Sequence, residues 1–152
     1  MNISNLFKIR CLLLSLLLIV FSAAIADEFE IVKKAAEQAD AKAQNNPGIM
    51  YANGEGVSRD DAEAVRWYRL AAEQGYAVAQ NNLGLMYANG EGVPDDNMRA
   101  YAWFSIAAAQ GEYPAKENKE SVAERMTRAQ IDEAQKLSRE YWDAYGPGRH
   151  DQ

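Results

Sequence analysis

Small and apolar residues recur along this chain at intervals of three and four, and the runs stop at glycine-bearing loops. Between Tyr76 and Asn89, the positions Ala79, Leu83, Met86 and Tyr87 fall on one face of a helical period, which predicts an amphipathic helix. Asn89-Gly90 then offers the residue pair that most easily takes the left-handed conformation closing a helix. After Glu91-Gly92-Val93-Pro94, Asp95 and Asp96 provide a capping side chain and negative charge for a new helix start. The periodic positions Ala100, Trp103, Phe104, Ala107 and Ala108 carry that second helix to Gln110, where Gly111 ends it. The predicted unit is a helix-turn-helix.

That unit is written twice. NNPGIMYANGEGV at 45–57 and NNLGLMYANGEGV at 81–93 differ at two places and lie 36 positions apart. Ala35-Ala36, Ala71-Ala72 and Ala107-Ala108 keep the same interval, and aligning 35–70 with 71–106 gives 21 identities in 36. A fixed period in this range predicts an all-α solenoid of small stacked units.

The string AEQGYAVAQNNLGLMYANGEGVPDD followed by AYAWFSIAAAQG resembles the Sel-1-like repeat family, relatives of the tetratricopeptide repeats with a slightly longer unit. The resemblance spans about residues 28–113 and rests on the joint pattern of Ala, Gln, Leu-Gly, Tyr, Gly-x-Gly-Val and Trp. It implies a short right-handed α-solenoid with about five to six helices. It also implies the role of an adaptor or scaffold that binds a protein or peptide. In the related tetratricopeptide arrangement the first helices line a concave groove. Carried onto this chain, that geometry selects Lys42, Asn45, Ile49 and Asn53 in the first unit and Val78, Asn81, Leu85 and Asn89 in the second. Asn53 and Asn89 precede glycine and are better explained as helix closures. Asn45 and Asn81 are poor helix formers in mid-helix, and their amides suit an extended peptide backbone; duplication of a tolerated polar residue explains them equally well.

The ends depart from the period. EFEIVKKAAEQA at 28–39 aligns with AVRWYRLAAEQG at 64–75, so 27–40 is expected to be the second helix of a partial leading unit, ahead of repeat one at 41–76 and repeat two at 77–113. Beyond Gly111, Pro114 suits a first helical turn, and Ser121 to Glu124 and Thr127 to Gln130 have capping-box spacing. Ile131, Ala134, Leu137, Tyr141 and Tyr145 keep a helical period. A divergent closing pair over 114–126 and 128–145 is expected, since a solenoid must cover its last core with a polar face. Residues 146–152 are expected to be a disordered tail.

The first 26 residues stand apart. Lys8 and Arg10 precede an apolar run from Cys11 to Ala24, and Ala24-Ile25-Ala26 is a small-x-small pattern before Asp27. This is the form of a secretory signal peptide cleaved after Ala26; the run is short for a spanning helix. Cys11 lies at the start of the apolar run, whereas a lipidated cysteine lies at its end. Export predicts the periplasm of a bacterium or the cell exterior. The mature chain would hold no cysteine and no disulfide. Losing Lys8 and Arg10 lowers Lys plus Arg from 16 to 14 against 22 acids, so the net charge moves from −6 to −8. Such a chain is a poor match for nucleic acid or an anionic membrane surface and a better one for basic partners.

Chemistry is scarce. The one histidine, His150, lies at the extreme end, so no His-based catalytic set and no metal site is expected, nor any cofactor. No Ser-x-x-Lys occurs. Gly54-Glu55-Gly56 and Gly90-Glu91-Gly92 lack the strand, third glycine and Lys-Ser ending of a phosphate loop and are turns. Glu117, Glu120 and Glu124 form a solvated face, and Trp67 and Trp103, at equivalent places, are core. A non-enzymatic protein-interaction scaffold follows. A cell-wall or β-lactam hydrolase and a self-associating structural protein are the alternatives. Pro47 replaces Leu83 in the middle of a first helix, where it removes a donor facing Ala43 and a core side chain. Ala39 replaces Gly75, weakening a helix stop. The first unit is therefore expected to be the least stable.

Overall fold

A computed structural model describes residues 29–34, 36 and 41–147, and every element among them is a helix. α1 covers residues 29–34. Six helices follow: α2 (Ala41–Asn53), α3 (Asp61–Glu73), α4 (Ala77–Asn89), α5 (Asn97–Ala109), α6 (Tyr113–Ala123) and α7 (Arg128–Tyr145). The signal peptide, its cleavage position, Ala39 and residues 148–152 lie outside the described residues. No helix among the described residues is long and apolar enough to cross a membrane.

The written repeat becomes a repeat of hydrogen bonds. Asp60 caps α3 by accepting from the amides of Ala62 and Glu63, and Asp96 caps α5 by accepting from Met98 and Arg99. Between the helices of each unit, Glu55 N donates to Met50 O and Asp60 N to Tyr51 O. One period later Glu91 N donates to Met86 O and Asp96 N to Tyr87 O. The turns between units use Gly75 and Gly111, at φ +88° and +92°. Identical residues at identical spacing meet the same backbone groups, so both units close alike.

Within each unit the two helices cross at a glycine. A Cβ on Gly48 would stand 2.6 Å from the Tyr68 ring, and one on Gly84 would stand 2.6 Å from the Phe104 ring. The Leu-Gly step therefore pairs a core side chain with a recess for the aromatic of the second helix. Leu83, Phe104, Ile106 and Trp67 are almost completely buried. α2 runs unbroken through Pro47, which is itself buried in the place of Leu83. Phe29 of α1 meets Tyr51 edge-on at 5.1 Å, joining the leading segment to α2.

α2 packs on α3, α3 on α4, α4 on α5 and α5 on α6. α7 breaks the succession. It packs along α5 and reaches α3, but does not pair with α6 as α3 pairs with α2. Trp103 lies against Tyr141 at 4.6 Å and stacks on Tyr145 at 5.4 Å. A capping box at Thr127 and Gln130 starts α7, whereas Ser121, the other residue at that spacing, lies exposed inside α6 and caps nothing. The connection into α7 is four residues, against seven between α4 and α5, and the shorter link goes with a different docking direction. α6 presents Lys116, Glu117, Glu120 and Ser121 to solvent, as suits a terminal face.

Candidate interaction groove

α2 touches α4 and α4 touches α6, while α3 and α5 make no comparable contact. First helices spaced more tightly than second helices curve the stack, with α2, α4 and α6 on its inner side. Of the expected groove residues, Lys42 is exposed, Ile49, Val78 and Leu85 are half-buried, and Asn53 and Asn89 are exposed at helix ends. Asn45 and Asn81 are only 4% and 7% exposed.

The two buried asparagines are engaged with the neighbouring first helices. Asn82 Nδ2 donates to Asn45 Oδ1 at 3.2 Å, and Asn118 Nδ2 donates to Asn81 Oδ1 at 2.9 Å. Both links span 37 residues, so one rung joins α2 to α4 and the next joins α4 to α6. Buried amides demand partners, and these supply them from within the stack. Asn82 and Asn118 were not singled out by sequence. The signal was present in the Asn doublets and in Asn118, which stands one period and one residue beyond Asn81.

Glutamines form a second ladder, from the residues just before Asn45 and Asn81. Gln74 Nε2 donates to Gln44 Oε1, and Gln110 Nε2 donates to Gln80 Oε1 at 2.7 Å. Gln80 also donates to the Ala72 carbonyl at 3.0 Å. Toward the second helices, Arg69 donates to the Tyr87 hydroxyl at 2.9 Å, while Arg99 lies 5.6 Å over the Tyr87 ring. Burial pushes the Tyr141 phenol up to about 12, with Arg99 opposing the shift. These side chains brace the outer layer and leave the inner face to Lys42, Asn46, Val78, Leu85 and the polar end of α6.

Chemistry of other kinds is not assembled here. No cluster of His, Cys, Asp or Glu among the described residues could hold a metal ion. Glu117, Glu120 and Glu124 are all exposed. Trp67 is 1% exposed, and its indole N–H finds no acceptor among the described residues. Its counterpart Trp103 is sandwiched against α7.

Comparison with solved structures places this arrangement. A protective antigen present in uropathogenic Escherichia coli strains, displaying an SLR fold, is similar over 80% of this chain and 26% of its own, with 36% sequence identity and a TM-score of 0.76. A Sel1 repeat protein from Oxalobacter formigenes is 43% identical over 54% of this chain and 63% of its own, with a TM-score of 0.53. The chain thus spans about a quarter of the first protein and less than two thirds of the second. No curated protein matches it. The Sel1 repeat model matches residues 41–76 and 77–112, the two units whose caps, turns and glycine crossings coincide, so the chain carries two Sel1 repeats.

Proposed function

We propose that this chain is an exported adaptor, working in the periplasm or at the cell exterior, that holds a protein or peptide along the inner face of α2, α4 and α6, in keeping with the general role of these repeats as protein-interaction scaffolds. The observation that carries the reading is the amide ladder. It ties three consecutive first helices into one rigid surface, and rigidity keeps the ordering cost of binding low. Contact falls to Lys42, Val78, Leu85 and the half-buried Ile49, with Asn45 and Asn81 acting from below as supports. The excess of acids, 22 against 16 basic residues, favours a basic partner through faster encounter.

Capture from the native cell envelope tests this. The chain is compared with a Lys42→Ala, Val78→Ala, Leu85→Ala variant checked for unchanged helicity. The groove reading expects a partner retained by the parent and lost by the variant. Partners retained equally by both would remove the groove. Loss of all partners upon replacing residues on α3 or α5 instead would move the site to the outer layer.

A further inference from the structure

In the outer layer, α5 and α7 face each other with small residues. Ser105 and Ala109 of α5 oppose Ser138 of α7, and the space between them is a cleft of about 310 Å³ completed by Ile106, Arg139, Trp142 and Asp143. Both hydroxyls commit their protons to their own helices. Ser105 Oγ donates to Tyr101 O at 2.8 Å, and Ser138 Oγ donates to Ala134 O at 2.7 Å. Apart from Arg139 and Asp143 the lining is therefore apolar, with two hydroxyl oxygens that can only accept. It suits a large flat side chain carrying one donor.

A side chain of that description stands close by. Tyr113, in the first turn of α6, is 86% exposed. The equivalent positions in the preceding units are Ala77 and Ala41, so the repeat itself asks for no bulk there. Tyr113 follows cleft-lining Ala109 by four residues, across the Gly111 turn. Trp142, on the cleft wall, is itself 38% exposed. Protrusion and recess thus belong to one patch, the condition for a surface that can be its own partner about a two-fold axis.

We propose that two copies of this chain associate about such an axis, Tyr113 of each copy entering the α5–α7 cleft of the other. The phenol ring lies against Trp142 and Ile106, and its hydroxyl donates to the Ser105 or Ser138 oxygen. Glu112, beside the entering tyrosine, meets Arg139 on the rim, a cation that takes part in none of the ion pairs among the described residues. Guanidinium and phenol already combine in this fold, where Arg69 donates to the Tyr87 hydroxyl at 2.9 Å. The receiving cleft lies in the outer layer, between α5 and α7.

Sedimentation velocity on the purified full chain, over a concentration series, tests the proposal. The expected result is a mass rising towards twice the monomer. Tyr113→Ser and the cleft-filling Ala109→Trp should each weaken the dimer about tenfold or more, with unchanged helicity. Glu112→Arg and Arg139→Glu should each weaken it alone, and together should restore it by exchanging the two charges. Tyr113 is exposed, so its replacement keeps the test valid even if Ala109→Trp unfolds the chain. A monomer at every concentration would overturn the proposal. So would a dimer indifferent to Tyr113→Ser, or a double charge reversal that fails to restore association.

Discussion

The side-chain nitrogen of Gln80 donates to the carbonyl oxygen of Tyr145 at 3.1 Å, joining α4 to the end of α7 across 65 residues. The same amide serves Ala72 O and accepts from Gln110, so one fully buried side chain holds the ends of α3, α5 and α7 together. Tyr145 in turn stacks on Trp103, which places an aromatic clamp and a polar keystone at one junction.

Replacing Gln80 should therefore cost more than its own hydrogen bonds. Gln80→Leu keeps the volume but strands the Tyr145 carbonyl and leaves the Gln110 amide only the Ile106 carbonyl, while Ala72 O keeps its bond from Gly75 N; the expected loss is about 1–3 kcal/mol. Gln80→Glu should be worse, because it sets a carboxylate against two carbonyl oxygens. Urea unfolding monitored by helicity measures both, and Gln110→Ala should cost less, because one of its two bonds, to the Ile106 carbonyl, lies within its own helix.

The two repeat tryptophans should respond differently to the same change. Trp67 buries an indole N–H without an acceptor among the described residues, so Trp67→Phe removes an unpaired donor along with some packing. Trp103→Phe loses stacking surface against Tyr141 and Tyr145. The expected order is a smaller loss at Trp67 than at Trp103, by about 1 kcal/mol, read from paired melting curves. Equal losses would mean that Trp67 has found a partner.

Pro47 marks how far the repeat can depart from its pattern. It sits in α2 where Leu83 sits in α4, and the two helices have the same length of 13 residues. Pro47→Leu returns a backbone donor and a core side chain to a site whose counterpart already accepts leucine. We expect a gain of about 2–3 kcal/mol, with slower amide exchange concentrated in α2. A gain spread over the whole chain, or none, would show that α2 has adapted fully to proline.

Most of the architecture could be read because it was written twice. Asp60 with Asp96, Gly54 with Gly90 and Gly48 with Gly84 impose local geometry through backbone groups, and such rules act within a few residues. What escaped was long-range. The Asn82 to Asn45 link is invisible until two helices are placed side by side, and then a residue chosen for a groove proves to be tied to its neighbour helix. The direction of α7 likewise depends on Trp103 offering Tyr141 and Tyr145 a surface, which periodicity along α7 cannot specify.

Two of the eight tyrosines should resist alkaline titration. Burial pushes Tyr68 up to about 12, and Tyr141 reaches about 12 mainly for the same reason. The folded protein holds these protons more tightly than the unfolded chain, so the stabilisation is complete below the ordinary value of 10.0 and is lost as pH rises toward 12. The melting temperature should fall across that window. Tyr68→Phe and Tyr141→Phe, followed by phenolate absorbance, should flatten the fall. A titration with all eight groups near their ordinary value would contradict this packing.

The Gly-x-Gly-Val loop makes the sharpest distinction. Gly92 and Gly111 both lie at positive φ, +68° and +92°, where a side chain is strained. Their surroundings differ. A Cβ at Gly92 would fall 2.2 Å from the carbonyl oxygen of Asp61, at the start of α3 in the preceding unit, whereas one at Gly111 meets nothing within 4 Å. Gly111→Ala should thus cost only backbone strain, about 1–2 kcal/mol, while Gly92→Ala should cost about 1–3 kcal/mol more by forcing the loop off α3. Chemical denaturation of the two variants isolates that difference. Because the clash is with backbone, no rotamer change can relieve it, and the excess measures how tightly one unit rests on the last.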